Sequence, residues 1–410
     1  MVDRAEPSAA PGEPAENPTA TVAVVAVARE AGEAESRVAL VPDDVGRLRS
    51  AGFAVVVEKD AGKKAWFFDD AYVQAGADVL DRDKCFADSD VVLFVNRPSD
   101  ADAGRLRPGQ VVVGLLAPLV DPAFVTRLAE LGVTAVSLDM LPRTLSRAQA
   151  MDVLSSQANI AGYKAALVAA NAFGRYFPLL MTAAGTARPA EVLVLGAGVA
   201  GLQAIATAHR LGAIVKGYDV RPEAKEQVES LGGRFIELKS VPDAAGEGGY
   251  ARVLTAEETA AQQEELNGHV AQHDVVITTA QVPGRRPPLL ITAAAVGAMR
   301  AGSVVVDMAA SPLGGNVEGS RPDATTVSDN GVTIIGAGNL ASTMPMGAST
   351  AYSHNVCALL AHLAENGKVA IDLTDEIQAG VVITFDGKVV NPATAELAGS
   401  NGREPLVNGA

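Results

Sequence analysis

A polar stretch between Leu141 and Leu167 carries side chains that are unusual for a helix surface. On a helical wheel, six polar residues fall within roughly a 120° arc: Gln149, Asp152, Ser155, Ser156, Asn159 and Tyr163. Solvated helix faces are usually rich in Lys and Glu, whereas amides, hydroxyls and one acid suit hydrogen bonds to a carboxamide and to sugar hydroxyls. Apolar residues occupy the opposite arc, as is typical of a helix that packs on one side. A solvated face and a binding face both remain open.

Two arginines, Arg143 and Arg147, precede this predicted helix, and Pro142 stiffens its entry. An arginine in this position would hydrogen-bond a carboxamide or a phosphate through its fixed fork of donors. It would equally be a surface cation near the start of a helix. The residue types alone do not separate these two interpretations.

A glycine-rich loop follows in the sequence VLVLGAGVAG. Its glycines, Gly196, Gly198 and Gly201, come after a buried strand and open an alanine-rich helix. With this spacing the first glycine permits a tight turn, and the second lets a pyrophosphate approach backbone amides. The third lets helix and strand pack closely. The flanking strand and helix favour a dinucleotide site at the helix N-terminus over a purely structural glycine turn.

An acidic residue ends the next predicted strand. Asp219 lies 18 residues beyond Gly201, where a carboxylate hydrogen-bonds an adenosine ribose diol and repels a 2′-phosphate. This position favours NAD(H) as the bound nucleotide. Arg221 lies two residues further on and would pair with a 2′-phosphate, so NADP(H) stays open as the alternative.

Short apolar runs alternate with amphipathic stretches along the chain, which predicts parallel sheets with right-handed crossovers. The predicted fold class is α/β, with two Rossmann-like domains, the second inserted in the first, and a cleft between them. We expect the first domain to span 21–150 and 345–410, and the NAD-binding Rossmann domain to span 151–344. Helices around Met151 and Val356 would make the two crossings between the domains.

The composition excludes several function classes. The 410 residues carry a net charge of −15, so the surface repels nucleic-acid backbones and anionic lipid. Residues 1–20 lack the apolar run of a signal peptide and are expected to form a disordered arm. No apolar run is long enough for a membrane-spanning helix. Cys85 and Cys357 lack the spacing of a disulfide framework or a zinc site, so a cytoplasmic protein without a metal is expected.

Several longer segments together resemble one known family. The NAD(H)-binding component, domain I, of proton-translocating NAD(P) transhydrogenases is similar to MLPRTLSRAQAMDVLSSQANIAGYKA, PLLMTAAGTARPAEVLVLGAGVAGLQAIATAHRLGA, GGYAR and VITTAQVPGRRPPLLIT. The resemblance runs from about residue 21 to the end of the chain. These motifs are far more specific than a dinucleotide fingerprint. The domain is related in fold to alanine dehydrogenase.

The resemblance implies which residues bind nucleotide. The nicotinamide end would be lined by the catalytic candidates Arg143, Gln149, Asp152 and Ser155. A Gly-Tyr pair matches the family's mobile loop, which closes over bound nucleotide: Gly249 and Tyr250. The other expected contacts to the cofactor are Gly196, Gly198, Val199, Gly201, Asp219, Val220, Arg221, Gln262 and Gln281.

The resemblance also implies an activity and an assembly. Hydride would pass directly between NAD(H) on this chain and NADP(H) on a partner subunit, while a membrane-spanning subunit translocates protons. The chain would be a homodimer, cytoplasmic, and peripheral on the cytoplasmic face of the inner (plasma) membrane through its partners. Transfer between two nicotinamides moves no proton, so the site needs no acid or base. It needs two C4 atoms held roughly 3 to 3.5 Å apart.

Two other functions remain open from the sequence. An alanine dehydrogenase-like amino-acid oxidoreductase would, by resemblance, carry its catalytic lysine at Asn96 and its histidine at Leu116, and neither residue is present there. A non-catalytic NAD-binding regulatory module would share the glycine loop and Asp219. Such a module would have no reason to place polar groups at Gln149 and Asp152, so both comparisons favour hydride transfer between two nicotinamide nucleotides.

Overall fold

The computed structural model describes residues 22–240, 255–281 and 284–399, and its first portion alternates strands with helices. Valine-rich runs form the strands because branched side chains pack well on a pleated surface. The strands are β1 Val24–Val27, β2 Ala54–Glu58, β3 Asp78–Leu80, β4 Val91–Asn96, β5 Val111–Leu115 and β6 Thr134–Ser137. The helices are α1 Pro42–Ser50, α2 Asp69–Gln74, α3 Arg82–Ala87, α4 Asp100–Ala103 and α5 Pro122–Glu130. All but β3 of these strands, and both longer helices, match predicted segments.

The second portion begins with the longest helix, α6 Val153–Ala172. After α6, this portion continues with a hairpin and then with a second alternation of strands and helices. The strands are β7 Leu180–Thr182, β8 Gly185–Ala187, β9 Glu191–Leu195, β10 Ile214–Tyr218, β11 Arg234–Phe235, β12 Val275–Thr278, β13 Val304–Asp307, β14 Thr325–Val327 and β15 Thr333–Gly336. The helices are α7 Val199–Arg210, α8 Ala224–Ser230, α9 Ala256–Gln272 and α10 Ala293–Ala298.

The last portion of the chain returns to the first sheet through a second long helix, α11 Pro345–Leu363. Its proline at the first helical position suits a helix start, because that residue needs no amide donor. The remaining elements are β16 Ala364–Glu365, β17 Lys368–Val369, α12 Glu376–Val381, β18 Val382–Phe385, β19 Lys388–Val389 and α13 Pro392–Gly399. Within the described ranges, no helix combines the length and the apolarity that crossing a bilayer requires.

Two large sheets organise the chain. The first has the strand order β19-β18-β6-β5-β4-β1-β2-β3, and the second has the order β11-β10-β9-β12-β13-β15-β14. The second sheet is built entirely from chain that lies between β6 and β18 of the first. The predicted fold class, two Rossmann-like units with the second inserted in the first, is therefore confirmed.

Three strands depart from the predicted parallel arrangement. β18 pairs antiparallel with β6, β19 pairs antiparallel with β18, and β14 pairs antiparallel with β15. An antiparallel pair needs only a tight turn, and Asp386 and Gly387 supply one between β18 and β19 with φ of 49° and 71°. Alternating strand and helix patterns carry no signal for such edge additions.

The helix α6 contributes to one hydrophobic cluster of each large sheet. Val153, at its start, belongs to the core of the first sheet, and Ala165 and Ala169 belong to the core of the second. A Cβ on Gly162 would lie 2.1 Å from the carbonyl oxygen of Ala200, so α6 and α7 pack with their backbones in close contact. Because α6 packs on both cores, the domain boundaries at 150 and 345 stay predictions.

Candidate functional site

The four predicted catalytic residues line one cavity. A cavity of about 520 Å³ is bordered by Arg143, Thr144, Gln149, Asp152 and Ser155. The structure thus brings together the four residues that the family resemblance assigned to the nicotinamide end. Thr144 is an additional lining residue that the sequence pattern did not indicate.

One prediction about this segment is wrong, because Gln149 and Asp152 do not share a helix. Residues Ser146–Met151 form a 3₁₀-helix, and α6 begins only at Val153. Asp152 lies between the two with φ −75° and ψ 85°, and its Oδ1 accepts a hydrogen bond of 2.9 Å from the Ser155 amide. This N-cap satisfies an amide that a continuous helix would have bonded to a carbonyl, so the helix starts anew here.

Hydrogen bonds organise the charged side of the cavity. Arg143 Nε donates to Asp152 Oδ2 at 3.0 Å, and Arg143 Nη2 donates to Ser155 Oγ at 2.8 Å. Ser155 Oγ in turn donates to Asp152 Oδ2 at 2.6 Å. Burial alone would raise the pKa of Asp152, but the bonds from Ser155 and Arg143 outweigh it and hold that pKa below its usual range. Asp152 is therefore a carboxylate at neutral pH.

The remaining polar residues of the predicted face contact protein instead of the cavity. Ser156 Oγ donates to Asn355 Oδ1 at 2.7 Å, and Asn159 Nδ2 donates to Gln203 Oε1 at 3.2 Å. Tyr163 lies on the surface. The interpretation of all six polar residues as one binding face is thus wrong, because neighbouring helices take up Ser156 and Asn159.

The glycine-rich loop has the geometry that its spacing predicts. Gly196 has a φ of 98°, which only glycine adopts readily, and a Cβ on Gly201 would lie 1.8 Å from the carbonyl oxygen of Gly196. Gly198 is the N-cap of α7 and makes no side-chain cap. A Cβ on Gly198 would meet nothing within 4 Å, and the adjacent Val199 is exposed. Open space therefore faces the N-terminus of α7.

Asp219 and Arg221 pair with each other at the end of β10. Asp219 Oδ2 accepts from the Ala197 amide at 2.7 Å, and Asp219 Oδ1 accepts from Arg221 N and from Arg221 Nε, each at 2.9 Å. Burial raises the pKa of Asp219, but the bonds from Arg221 and Ala197 outweigh it and lower that pKa. A 2′-phosphate would have to draw Arg221 away from Asp219. Val220 lies exposed between them.

The other predicted nucleotide contacts are partly engaged within the protein. Gln262 Nε2 on α9 donates to the Tyr218 hydroxyl at 2.7 Å, and Gln281 Nε2 donates to the Met308 carbonyl oxygen at 2.7 Å. Their assignment to nucleotide stays a prediction. Gly249 and Tyr250, the predicted mobile pair, lie outside the described residues.

A buried polar cluster occupies the region where alanine dehydrogenase-like chemistry was considered. Glu35 pairs with Arg37 through two hydrogen bonds of 2.8 and 2.7 Å, and Arg37 Nη1 donates to Gln157 Oε1 at 2.9 Å. Asn96 Nδ2 donates to Glu35 Oε2 at 2.7 Å, while Leu116 is fully buried in a separate hydrophobic cluster with Phe94 and Phe124. Asn96 therefore has a structural partner, and Leu116 is a core residue.

Glu30 belongs to the same cluster and is expected to make stability depend on pH. Burial raises the pKa of Glu30 from 4.5 to about 7, although its Oε1 accepts a 2.7 Å bond from the Val95 amide. The folded protein therefore holds this proton more tightly than the unfolded chain, and the resulting stabilisation is lost as pH rises through about 7. For Glu30→Gln, we expect the free energy of unfolding relative to wild type to increase across that window by at most ~3 kcal/mol.

Urea unfolding of wild type and Glu30→Gln at several pH values between about 4.5 and 8 measures this difference. Glu33→Gln is the matched control, because Glu33 is a neighbouring exposed glutamate. A difference between Glu30→Gln and wild type that stays flat with pH would contradict the prediction.

Comparison with known proteins adds a family context to this geometry. The N-terminal domain profile of the family described as alanine dehydrogenase/PNT matches residues 26–161, and its C-terminal domain profile matches residues 165–392. The chain is 43% identical over 387 residues to "NAD(P) transhydrogenase subunit alpha" of Cereibacter sphaeroides, covering 92% of this chain and 74% of that protein.

Two solved structures show the same architecture. A transhydrogenase from Sinorhizobium meliloti is 40% identical with a TM-score of 0.79, covering 90% of this chain and 99% of that chain. An L-alanine dehydrogenase is 27% identical with a TM-score of 0.75, covering 91% of this chain and 98% of that chain. In each case the similarity extends over most of this chain.

Proposed function

This chain belongs to the alanine dehydrogenase/PNT family, and from that membership we propose that it is the NAD(H)-binding subunit of a proton-translocating NAD(P) transhydrogenase. The observation that carries the proposal is the cavity lined by Arg143, Gln149, Asp152 and Ser155. Its donors and its ionised carboxylate suit a neutral carboxamide and ribose hydroxyls. The similarity to a transhydrogenase alpha subunit at 43% identity supports the same assignment.

The residues present fit a dinucleotide. The uncapped N-terminus of α7 faces open space at Gly198, where the positive end of the helix dipole favours a pyrophosphate. Asp219 directly follows β10 as a carboxylate suited to an adenosine ribose, and its pair with Arg221 favours NAD(H) over NADP(H). When bound, the nicotinamide ring supplies or accepts the hydride.

The protein's own residues would then orient the nicotinamide ring, and none of them would have to give up or take a proton. Arg143 and Gln149 would hydrogen-bond the carboxamide, and Asp152 would hold Arg143 in place through their 3.0 Å contact. Asp152 has a lowered pKa and is poorly suited to carrying a proton at neutral pH. Hydride exchange between two nicotinamides needs no such carrier, so the cavity suits alignment of two rings.

In this proposal the chain forms a homodimer and binds two further types of subunit. One partner subunit would bind NADP(H) and present it to the cavity, and a membrane-spanning subunit would couple the reaction to proton movement. The chain would reside in the cytoplasm, peripheral on the inner membrane through these partners. The similarity to a protein named as the alpha subunit of a transhydrogenase supports such a division of labour.

Alanine dehydrogenase-like oxidation is the second candidate, because the L-alanine dehydrogenase fold matches with a TM-score of 0.75. Amino-acid oxidation must move a proton as well as a hydride, which calls for a side chain such as lysine or histidine. Asn96 and Leu116 stand where the family resemblance would place those groups, with Asn96 bonded to Glu35 and Leu116 buried. These contacts favour the transhydrogenase role.

Reconstitution tests the proposed function. The purified chain, mixed with an NADP(H)-binding transhydrogenase subunit, should catalyse reduction of an NAD analogue by NADPH, followed by the absorbance of the reduced analogue. L-alanine with NAD should give no NADH. Absence of hydride transfer with every transhydrogenase partner tried would argue for a regulatory module, and a robust alanine-dependent rate would favour the second candidate.

A further inference from the structure

Two arms that meet at Asp152 carry Gln149, Asp152 and Ser155 of the cavity wall. The first arm is the 3₁₀-helix Ser146–Met151, which carries Gln149, and the second arm is the first turn of α6, which carries Ser155. The backbone leaves the helical region at Asp152, so the two arms do not share an axis. The angle between the arms therefore decides whether Gln149 and Ser155 face the same cavity.

Asn355 on α11 joins the two arms. Its Nδ2 donates to the carbonyl oxygen of Ala150 at 2.8 Å, and its Oδ1 accepts from Ser156 Oγ at 2.7 Å. Ala150 follows Gln149 directly, and Ser156 follows Ser155. The side chain is 8% exposed, so water competes little for either bond. A single rigid amide thus connects the neighbours of two cavity residues.

An amide is the chemical group that this position needs. It supplies a donor to the first arm and an acceptor to the second from one plane. A carboxylate would still accept from Ser156, but it would face the carbonyl oxygen of Ala150 with no proton to share. The loss of this buried donor is therefore expected to move the short 3₁₀-helix.

The other contacts of the first arm are less directional. Ala148 and Met151 pack into the core of the first sheet. Such apolar contacts are non-directional, so they hold the 3₁₀-helix against the core without fixing its orientation. Arg147 pairs with Asp375 and Glu376, but this ion pair is exposed and solvent screens it. The buried amide of Asn355 is therefore the contact best able to set the angle between the arms.

We propose that Asn355 is a positioning residue for the nicotinamide end of the bound nucleotide. It does not line the cavity, and it acts by fixing Gln149 relative to Ser155. This inference rests on the proposed function. Nucleotide contacts at Gly198 and Asp219 lie on another sheet and do not depend on Asn355.

Two variants and one control test the inference with a readout that needs no partner subunit. Asn355→Asp removes the donor to Ala150, and Ser156→Ala removes the donor to Asn355 with little change in volume. Ser353→Ala is the matched control, because Ser353 is a buried residue of α11 that bonds Asp44 and Val41 away from the cavity. Calorimetric titration with NADH and with ADP-ribose, which lacks nicotinamide, separates the two ends of the site.

In wild type, NADH should bind more tightly than ADP-ribose. In Asn355→Asp this advantage should fall about tenfold while ADP-ribose affinity is unchanged, and hydride transfer to a partner should slow about 100-fold. Ser156→Ala should show the same pattern with a smaller loss. Ser353→Ala should keep the wild-type ratio and rate even where its melting temperature drops.

The inference is overturned if the folded variants keep the wild-type ratio and rate, or if they lose affinity for both ligands equally. If Asn355→Asp does not fold, Ser156→Ala decides alone by the same criteria. Failure of the proposed function looks different, because wild type itself would then transfer no hydride to an NADP(H)-binding partner, whatever its preference for NADH over ADP-ribose.

Discussion

Replacing Asp152 by Asn should slow hydride transfer about 100-fold, or ~2.7 kcal/mol of activation free energy, and weaken NADH binding by a much smaller factor. Asparagine can still accept the N-cap bond from the Ser155 amide. It cannot hold Arg143 by charge, since the 3.0 Å contact to Arg143 Nε depends on the carboxylate. The freed arginine would no longer fix the carboxamide, and a ring displaced by about 1 Å reacts far more slowly.

Stopped-flow hydride transfer with an NADP(H)-binding partner measures the rate, and titration with NADH measures the affinity. Asp121→Asn is the matched control: Asp121 also caps a helix, with a 3.1 Å bond to Phe124 N, and also pairs with an arginine, Arg97. It does not line the cavity, so its variant should transfer hydride at the wild-type rate. Equal losses of rate and affinity in Asp152→Asn would show that this residue supplies binding alone.

Replacing Gly201 by Ala should abolish nucleotide binding and destabilise the second sheet. The added Cβ would lie 1.8 Å from the carbonyl oxygen of Gly196, so the junction between β9 and α7 must open. Overpacking of this kind costs about 1–3 kcal/mol of unfolding free energy. The displaced α7 would no longer present its amides, and NADH affinity should fall at least about 100-fold.

Gly198→Ala separates the structural component of this effect from the binding component. The backbone at Gly198, with φ −74° and ψ −169°, accepts alanine, and the new Cβ would meet nothing within 4 Å. Its unfolding free energy should equal that of wild type, while its methyl group fills the space that a pyrophosphate would enter. NADH affinity should fall about tenfold. Wild-type affinity in Gly198→Ala would identify the loop as a structural turn only.

Much of the fold was predictable because its signals are local. The strand β4 coincides with the apolar run VVLFVN, and β5 differs from its predicted run by one residue. The glycine loop was equally readable, since the φ of Gly196 and the contact between Gly201 and Gly196 arise within six residues of chain. Such features depend on sterics between near neighbours, which residue type and spacing specify.

The break at Asp152 was missed although its signal is local. An aspartate is a preferred N-cap residue, and here it accepts from the backbone amide three residues later, but the apolar periodicity on both sides concealed it. The wheel therefore placed Gln149 on the wrong element, yet Gln149 still lines the cavity with Asp152. The polar pattern indicated Gln149, Asp152 and Ser155, and the family resemblance added Arg143. The cap decided how the backbone presents them.

By itself the sequence determined the alternation of elements, the dinucleotide loop and the group of residues around the cavity. Only the tertiary structure decided that Asn355 bonds Ala150, 205 positions away, and that β18 pairs with β6 beside it. Neither pairing follows from local pattern, because in each the two partners are separated in the sequence by all the strands of the second sheet. Contacts of this kind depend on the free energy of packing the whole fold, to which any single residue contributes a small share.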